Sequence, residues 1–244
     1  MLYGGGLGLA EPCVVANFVQ TIDGVVAIPE LERSNAIVAA ESEADRFVVG
    51  LLRACADAVL IGARTMLASP RGLWRPEGVY RPAGDAYAEL RARRGSGSRP
   101  AVAVVTTGAS LDPAHPLLAE GALVLTTERA EPELRAAVPA ASEVLAVNPG
   151  DRVDLGLALA ALRERGHEVI VCEAGPTVFG ELLAGGFVDE LFVTISPLVA
   201  GRGASPRLSL AEGVELLPGR GAESELASVR RSDDHLFLRY RRRG

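Results

Sequence analysis

Two hydrophobic periods alternate along the chain. Short apolar runs rich in β-branched residues, at 13–20, 58–62, 101–107, 122–127, 144–147 and 169–172, predict strands, several of them buried on both faces. Between them the period lengthens. Ser42 caps a stretch with acids at Glu43 and Asp45, and Phe47, Val48, Leu51, Leu52 and Cys55 then recur at helical spacing. Further helices are predicted directly after Gly62, over 85–94, 132–138 and 155–165, and from Pro176 onward. The run that follows the last of these, to Pro197, returns to strand, and 214–217, 227–231 and 236–240 close the chain as strands. The last two are joined by the polar hairpin turn Ser232-Asp233-Asp234. Such alternation predicts an α/β fold with a mostly parallel, mixed central sheet flanked by helices and with antiparallel C-terminal strands. Residues 69–99 have no clear period and include Gly95-Ser96-Gly97-Ser98, so a long variable loop is expected there, within one domain spanning 1–244.

The most informative stretch is 168–201, a strand, a tight turn, a helix and a strand. The first strand stops at Glu173-Ala174-Gly175-Pro176. Gly175 allows close approach of a ligand, and Pro176 suits the first turn of a helix. The N–H groups of Thr177, Val178 and Phe179 would then face the strand end, an arrangement suited to a pyrophosphate. An ordinary strand–helix turn explains the same residues equally well. Gly62-Ala63-Arg64-Thr65 repeats the logic after the second strand, and the two turns together can clamp one pyrophosphate.

Other residues keep two readings open. Asn17 and Gln20 are either satisfied core amides or ligand-facing groups at a strand end, and Thr21-Ile22-Asp23-Gly24 is a turn. Arg53 flanks the apolar stripe of its helix, as a snorkelling surface residue or as a phosphate or carboxylate contact. Trp74, between Arg71 and Arg75, either covers a planar ligand or anchors its loop. Thr106-Thr107 and Thr126-Thr127, with Arg129 nearby, either turn into solvent or hold an adenosine 2′-phosphate.

Composition narrows the classes. The 244 residues are 48% hydrophobic and 23% charged, which is globular, and the net charge of −6 argues against a general nucleic-acid or membrane-surface binder. The basic tail Arg239-Tyr240-Arg241-Arg242-Arg243 reads as a solvated chain end. Cys13, Cys55 and Cys172 lie apart in apolar contexts, which predicts buried thiols, no metal site, and a reducing, cytoplasmic setting. The glycine-rich stretch 1–10 lacks signal-peptide features, and no apolar run approaches the length of a membrane span.

The combination of Thr21-Ile22-Asp23-Gly24, Leu52-Arg53-Ala54, 57–62 with Thr65, Glu173-Ala174-Gly175-Pro176-Thr177 and 183–197 resembles the C-terminal reductase domain of riboflavin-biosynthesis enzymes, within the dihydrofolate-reductase-like superfamily. It covers about Cys13 to Tyr240, and the zinc-deaminase signature that usually precedes this domain does not occur in the sequence, so a stand-alone member is expected. The resemblance implies a homodimeric, NADPH-dependent reductase that converts the ribosyl group of a 5-amino-6-(5-phosphoribosylamino)uracil-type substrate to a ribityl chain. It implies cofactor contacts at Gly62, Thr65, Thr107, Ala174, Gly175, Pro176, Thr177, Val178 and Phe179, and substrate contacts at Arg53, Glu173 and Leu73. Asn17 would lie near the nicotinamide, and Asp23 is the candidate proton donor or else a structural turn residue. One departure is clear. Where the family carries an Asp-Asp-Pro-x-Leu-Thr-x-Arg run, this chain has Ser69-Pro70-Arg71-Gly72-Leu73-Trp74-Arg75 and lacks both acids. A paralogue reducing a pterin or another pyrimidine, or a non-catalytic NADPH-binding protein, are the alternative expectations.

Overall fold

The computed structural model describes residues 7–219 and 221–243, so most of the glycine-rich N-terminal stretch lies outside the described residues. In chain order the elements are β1 (Cys13–Gln20), α1 (Ser34–Val38), α2 (Glu43–Cys55), β2 (Ala58–Gly62), α3 (Ala63–Leu67), α4 (Pro76–Val79), α5 (Gly84–Arg93), β3 (Ala101–Val105) and α6 (Pro116–Glu120). Then follow β4 (Leu123–Thr127), α7 (Glu131–Ala137), β5 (Glu143–Asn148), α8 (Leu155–Arg163), β6 (Val169–Cys172), α9 (Pro176–Ala184), β7 (Glu190–Ile195), β8 (Ser224–Ser232) and β9 (His235–Arg242). They group into two compact units, Gly50–Gly175 and the remainder of the chain.

In the Gly50–Gly175 unit the strand order is β5-β4-β3-β2-β6, every neighbouring pair parallel. β2 and β6 are buried throughout, as their continuous apolar runs require. Parallel strands bring all their carboxyl ends to one edge. Asp57 fastens the opposite edge: its carboxylate accepts from the N–H groups of Glu168 and Val169 at 3.1 and 2.8 Å, and its backbone bonds to Val169 and Ala101.

In the other unit β1 and β7 are parallel, and β9 and β8 continue antiparallel in the order β1-β7-β9-β8. The β8–β9 hairpin turns at Asp233-Asp234, with Asp233 at φ 50°, as the polar turn predicts. Phe18 of β1 packs on Phe179 of α9 with ring centroids 4.8 Å apart. Gly180 sits inside α9 because a Cβ there would lie 2.7 Å from Glu212 O.

Three expectations need correction. Residues 214–217 form no strand; the segment passes α9 as irregular chain, and Leu217 is exposed. Residues 69–99 are largely helical, with α4, a 3₁₀ turn at Arg81–Ala83, and α5. They are pinned by Tyr87, buried against Gly50, and by Arg91, which donates to Gly97 O and Ala56 O, both at 2.7 Å, and to the carbonyls of Arg53 and Ala54. The helix expected over 85–94 is α5, in which the charged Arg91 fills a buried position by capping the free carbonyls at the end of α2; α4 and the 3₁₀ turn are too short to show a period. The basic tail is not a solvated end: Arg239 and Arg241 of β9 pair with Glu190, Arg239 also donates to Leu7 O, and Arg242 reaches Gly186 O. The helices α1 and α6 lie beyond those expected from the sequence: at five residues each they carry too few turns to show a helical period.

The cap at Ser42 is present, with its Oγ accepting from Asp45 N–H at 3.2 Å. All three cysteines are buried, unbridged thiols, and burial pushes Cys172 up to about 12.

Candidate functional site

The carboxyl edge of the Gly50–Gly175 unit collects most of the residues singled out above. β2 ends at the buried Gly62, and α3 starts with no intervening loop, so Arg64 and Thr65 stand directly beyond the strand. β3 stops at Val105, two residues sooner than its apolar pattern predicts, because Thr106 turns to bond its own loop: its Oγ1 accepts from Gly108 N–H at 3.0 Å. Thr107 is exposed beyond it. Arg129, the cation beyond β4, is held by Asp151.

Next to β2, β6 ends at Cys172 and Glu173 follows, its N–H donating to Leu60 O at 2.9 Å. Arg53 reaches Glu173 from the last turn of α2. Its Nε and Nη2 bond the two carboxylate oxygens at 2.7 and 2.6 Å, and its Nη1 donates to Arg75 O. The side chains are 13% and 12% exposed, so the carboxylate contact, rather than the snorkelling surface residue, describes Arg53. The pair forms a neutralised but strongly polar corner whose two side chains keep a little exposure.

Ala174 is buried and Gly175 half-buried. The backbone of Gly175 lies outside the left-handed region, and a Cβ there would meet only Thr65 Oγ1, at 3.8 Å. No protein atom therefore requires glycine at 175; the space it clears is available to a ligand. α9 begins at the next residue, and its first-turn N–H groups, Thr177 and Val178, have no acceptor within the helix. Thr177 is exposed, whereas Pro176 and Phe179 are buried core residues that offer backbone at most. An open glycine followed by free N–H donors fits an anionic diphosphate.

In the other unit Asn17 is half-buried at the middle of β1, and neither it nor Gln20 makes a side-chain hydrogen bond among the described residues. The satisfied core amide is thus absent, which leaves both amides open to a ligand. Asp23 is engaged: it accepts from Thr21 Oγ1 at 2.5 Å and from the N–H groups of Ala200 and Gly201 at 3.0 and 2.8 Å. These donors, the Thr21 hydroxyl first, lower its pKa from 3.8 to about 2. This geometry favours the structural turn residue; such a carboxylate accepts hydrogen bonds and carries no proton to give at neutral pH.

The 69–75 segment is anchored from α6. His115 Nδ1 accepts from Leu117 N–H, so Nε2 carries the proton and donates to Ser69 O at 3.0 Å. Trp74 is 4% exposed and lies against His115, which makes it the anchor of the loop rather than a cover on a planar ligand. Arg75 is claimed by Glu120, while Arg71 is exposed in the tight turn closed by Gly72 N–H and Ser69 O. Leu73 is half-buried between them. His115 and Glu120 were not singled out by the sequence; the only sign of His115 is His-Pro at a helix start. Among the described residues no three His, Cys, Asp or Glu side chains gather as a metal site, and no helix is long and apolar enough to cross a membrane.

This edge supplies an anion cradle and a polar corner but, among the described residues, no poised proton donor or nucleophile, which suits binding and orientation of a reactive cofactor and its substrate. Residues 12–238 match the RibD C-terminal domain. A 2,5-diamino-6-ribosylamino-4(3H)-pyrimidinone 5′-phosphate reductase of Methanothermobacter thermautotrophicus is 30% identical over 207 residues, covering 84% of this chain and 87% of the relative. A reductase of the same name from Archaeoglobus fulgidus is 26% identical over 197 residues, covering 80% and 85%. The solved structure of a pyrimidine reductase-like protein from Corynebacterium diphtheriae shares the fold with a TM-score of 0.73 at 21% identity, covering 96% of this chain and 92% of that one. Matched along nearly its whole described length, the chain belongs to the RibD C-terminal domain family, an oxidoreductase family.

Proposed function

We propose that this protein is an NADPH-dependent reductase of a ribosylamino-pyrimidine 5′-phosphate, converting the ribosyl group to a ribityl chain. The observation that carries this reading is the cleared space at Gly175 beside Thr65, at the carboxyl ends of parallel strands where nucleotides bind. The names of the two archaeal relatives direct the substrate toward the diaminopyrimidinone, with the corresponding aminouracil as its nearest chemical competitor.

Gly62, Thr65, Ala174 and Gly175 would hold the pyrophosphate, with Thr107 near the adenosine ribose and the backbone of Pro176, Thr177, Val178 and Phe179 at the helix start. A reduced nicotinamide held by these residues would supply hydride chemistry for the electrophilic C=N carbon of the substrate. The chain's own task is orientation. The Arg53–Glu173 corner and Leu73 would position the substrate; in the other unit Asn17 keeps an unpaired amide and Asp23 stiffens its turn as an anion. Asp23 is held as an anion and no other side chain among the described residues is poised as an acid, so the proton that completes reduction would come from water. A homodimer in the reducing cytoplasm completes the reading.

The test is loss of reduced-nicotinamide absorbance with purified protein, offered the diaminopyrimidinone phosphate, the aminouracil phosphate and dihydrofolate in parallel. Turnover of either ribosylamino-pyrimidine is expected. Turnover of dihydrofolate alone would make the protein a pterin reductase, a reading favoured only by the two acids missing from 69–75. NADPH binding without any turnover would leave a non-catalytic nucleotide-binding protein.

A further inference from the structure

His115 is buried at the start of α6 and uses both ring nitrogens: Nδ1 accepts from Leu117 N–H at 3.2 Å, and Nε2 donates to Ser69 O at 3.0 Å. Only the neutral ring can do both. A second proton would sit on Nδ1, setting N–H against N–H and leaving a cation in a buried place. Among the described residues no carboxylate bonds the imidazole to hold that proton. On its own turn Asp112 gives Oδ1 to Ala114 N–H, and at the far end of α6 Glu120 is bridged by Arg75 and Arg99. The 69–75 segment brings the exposed Arg71, the Glu120-bound Arg75 and the neutral Trp74 ring, and α3, which leads into that segment, carries only Arg64.

What the imidazole holds is under strain. Trp74 sits at φ 50°, a left-handed backbone that an aromatic residue adopts only where its surroundings impose it. Gly72 makes room for the indole, since a Cβ there would lie 2.9 Å from Trp74 Cζ3. The segment is fastened at its start by His115 through Ser69 O. At its end Arg53 Nη1 donates to Arg75 O at 3.3 Å, while Nε and Nη2 of the same arginine hold Glu173. Release at Ser69 therefore slackens a strained segment that carries Leu73 and is tied directly to the Arg53–Glu173 corner.

We propose that His115 is a positioning residue and an acid-released latch: neutral, it holds the 69–75 segment in place for the substrate, and a second proton in mild acid frees the segment and weakens substrate binding. The inference rests on the substrate reading above, in which Leu73 and the Arg53–Glu173 corner meet the pyrimidine.

Acrylamide quenching of Trp74 is measured between about pH 7.5 and about pH 5.5 in three proteins. These are the wild type, His115→Gln, which keeps a side-chain donor without a titrating ring, and His115→Asn, which keeps a helix cap but is too short for Ser69 O. KM and kcat for the ribosylamino-pyrimidine phosphate are followed over the same range, and melting temperatures report folding. Quenching is expected to rise reversibly with acid in the wild type, to stay low in His115→Gln and to be high at every pH in His115→Asn. The substrate's own phosphate takes up a proton near about pH 6, so the reading is the ratio of wild-type KM to that of His115→Gln. That ratio is expected to grow about three- to tenfold on acidification, the worth of one hydrogen bond, with the kcat ratio unmoved. If His115→Gln fails to fold, His115→Asn, equally without a titrating ring, replaces it in both comparisons. Wild-type quenching that ignores pH overturns the proposal, as does an equal acid response in His115→Gln, which would place the titrating group elsewhere. Quenching that rises while the KM ratio stays flat would make His115 a structural clasp and overturn its positioning role. Absence of pyrimidine turnover at neutral pH would defeat the substrate reading and the positioning role with it; because quenching needs no substrate, that failure is told apart from a failure of the latch.

Discussion

Arg53 and Glu173, 120 residues apart in sequence, hold each other through two parallel hydrogen bonds of 2.7 and 2.6 Å at the carboxyl end of β6. The pair links the end of α2 to the strand that leads into the Gly175 turn, so it fixes both the site and the packing around it. Because both side chains are mostly buried, Glu173→Gln is expected to cost about 2–4 kcal/mol by leaving the guanidinium without its counter-charge. Replacing both partners by Met is expected to recover much of that loss in urea melts while activity stays low. Full stability with full activity in the double variant would mean the pair serves neither substrate nor cofactor.

Gly175 makes the opposite prediction. Since a Cβ meets nothing closer than 3.8 Å and the backbone is not in the left-handed region, Gly175→Ala should fold normally and gain about 0.4–1 kcal/mol from the stiffer unfolded chain. Gly175→Asp should fold as well but, on the proposed cofactor reading, bind NADPH at least tenfold more weakly, by placing an anion where the diphosphate would sit. Unchanged NADPH affinity in Gly175→Asp would remove the pyrophosphate site from this turn.

The contrast with Gly180 shows what the sequence could and could not reveal. Both glycines lie in the same strand–turn–helix stretch, and nothing in their spacing tells them apart. Gly180 is a packing residue, required by the backbone of Glu212, whereas Gly175 faces open space. The strands and main helices were legible because burial on both faces and helical stripes write themselves into apolar periods. The Glu173 turn was legible because glycine and proline punctuate it. The partners were not. Glu173 for Arg53, Glu120 for Arg75 and Glu190 for Arg239 are 120, 45 and 49 residues away, and only the folded chain pairs them.

Gly180→Ala follows from the same geometry. Alanine ordinarily favours a helix interior over glycine, yet here its methyl would press on Glu212 O at 2.7 Å. A net loss of about 1–3 kcal/mol is expected, read from the urea midpoint. A gain in stability would mean that the irregular 212–214 segment yields freely.

For Asp23 the prediction concerns pH. Its pKa is lowered from 3.8 to about 2, chiefly by the Thr21 hydroxyl, so its contribution to stability is complete above the ordinary value and is lost as pH falls through the lowered one. The difference in melting temperature between wild type and Asp23→Asn should stay constant from neutral pH down to the ordinary carboxylate range, then shrink as pH approaches 2. Activity at neutral pH should show no ionisation lost in Asp23→Asn; the disappearance of one would restore Asp23 as a proton donor.

Trp74 is the only tryptophan, so emission reports the 69–75 segment directly. At 4% exposure it should resist acrylamide quenching, and the pyrimidine substrate should not alter its emission through stacking. His115→Ala, which removes the bond to Ser69 O, should raise the quenching rate. Ready quenching in the wild type would mean that the ring is a mobile cover after all.

The three unbridged thiols give the chain an internal clock. Cys172 ends β6 one residue before Glu173, and with its ionisation pushed up to about 12 and no solvent access it cannot react with an alkylating reagent while the strand is in place. Each modification of Cys172 therefore records one excursion of the strand that carries the binding turn. Cys13 in β1 and Cys55 at the end of α2 keep separate time for their own elements. Labelling rates followed by intact-protein mass, with and without nucleotide, would count those excursions one strand at a time and show how far a bound cofactor slows them.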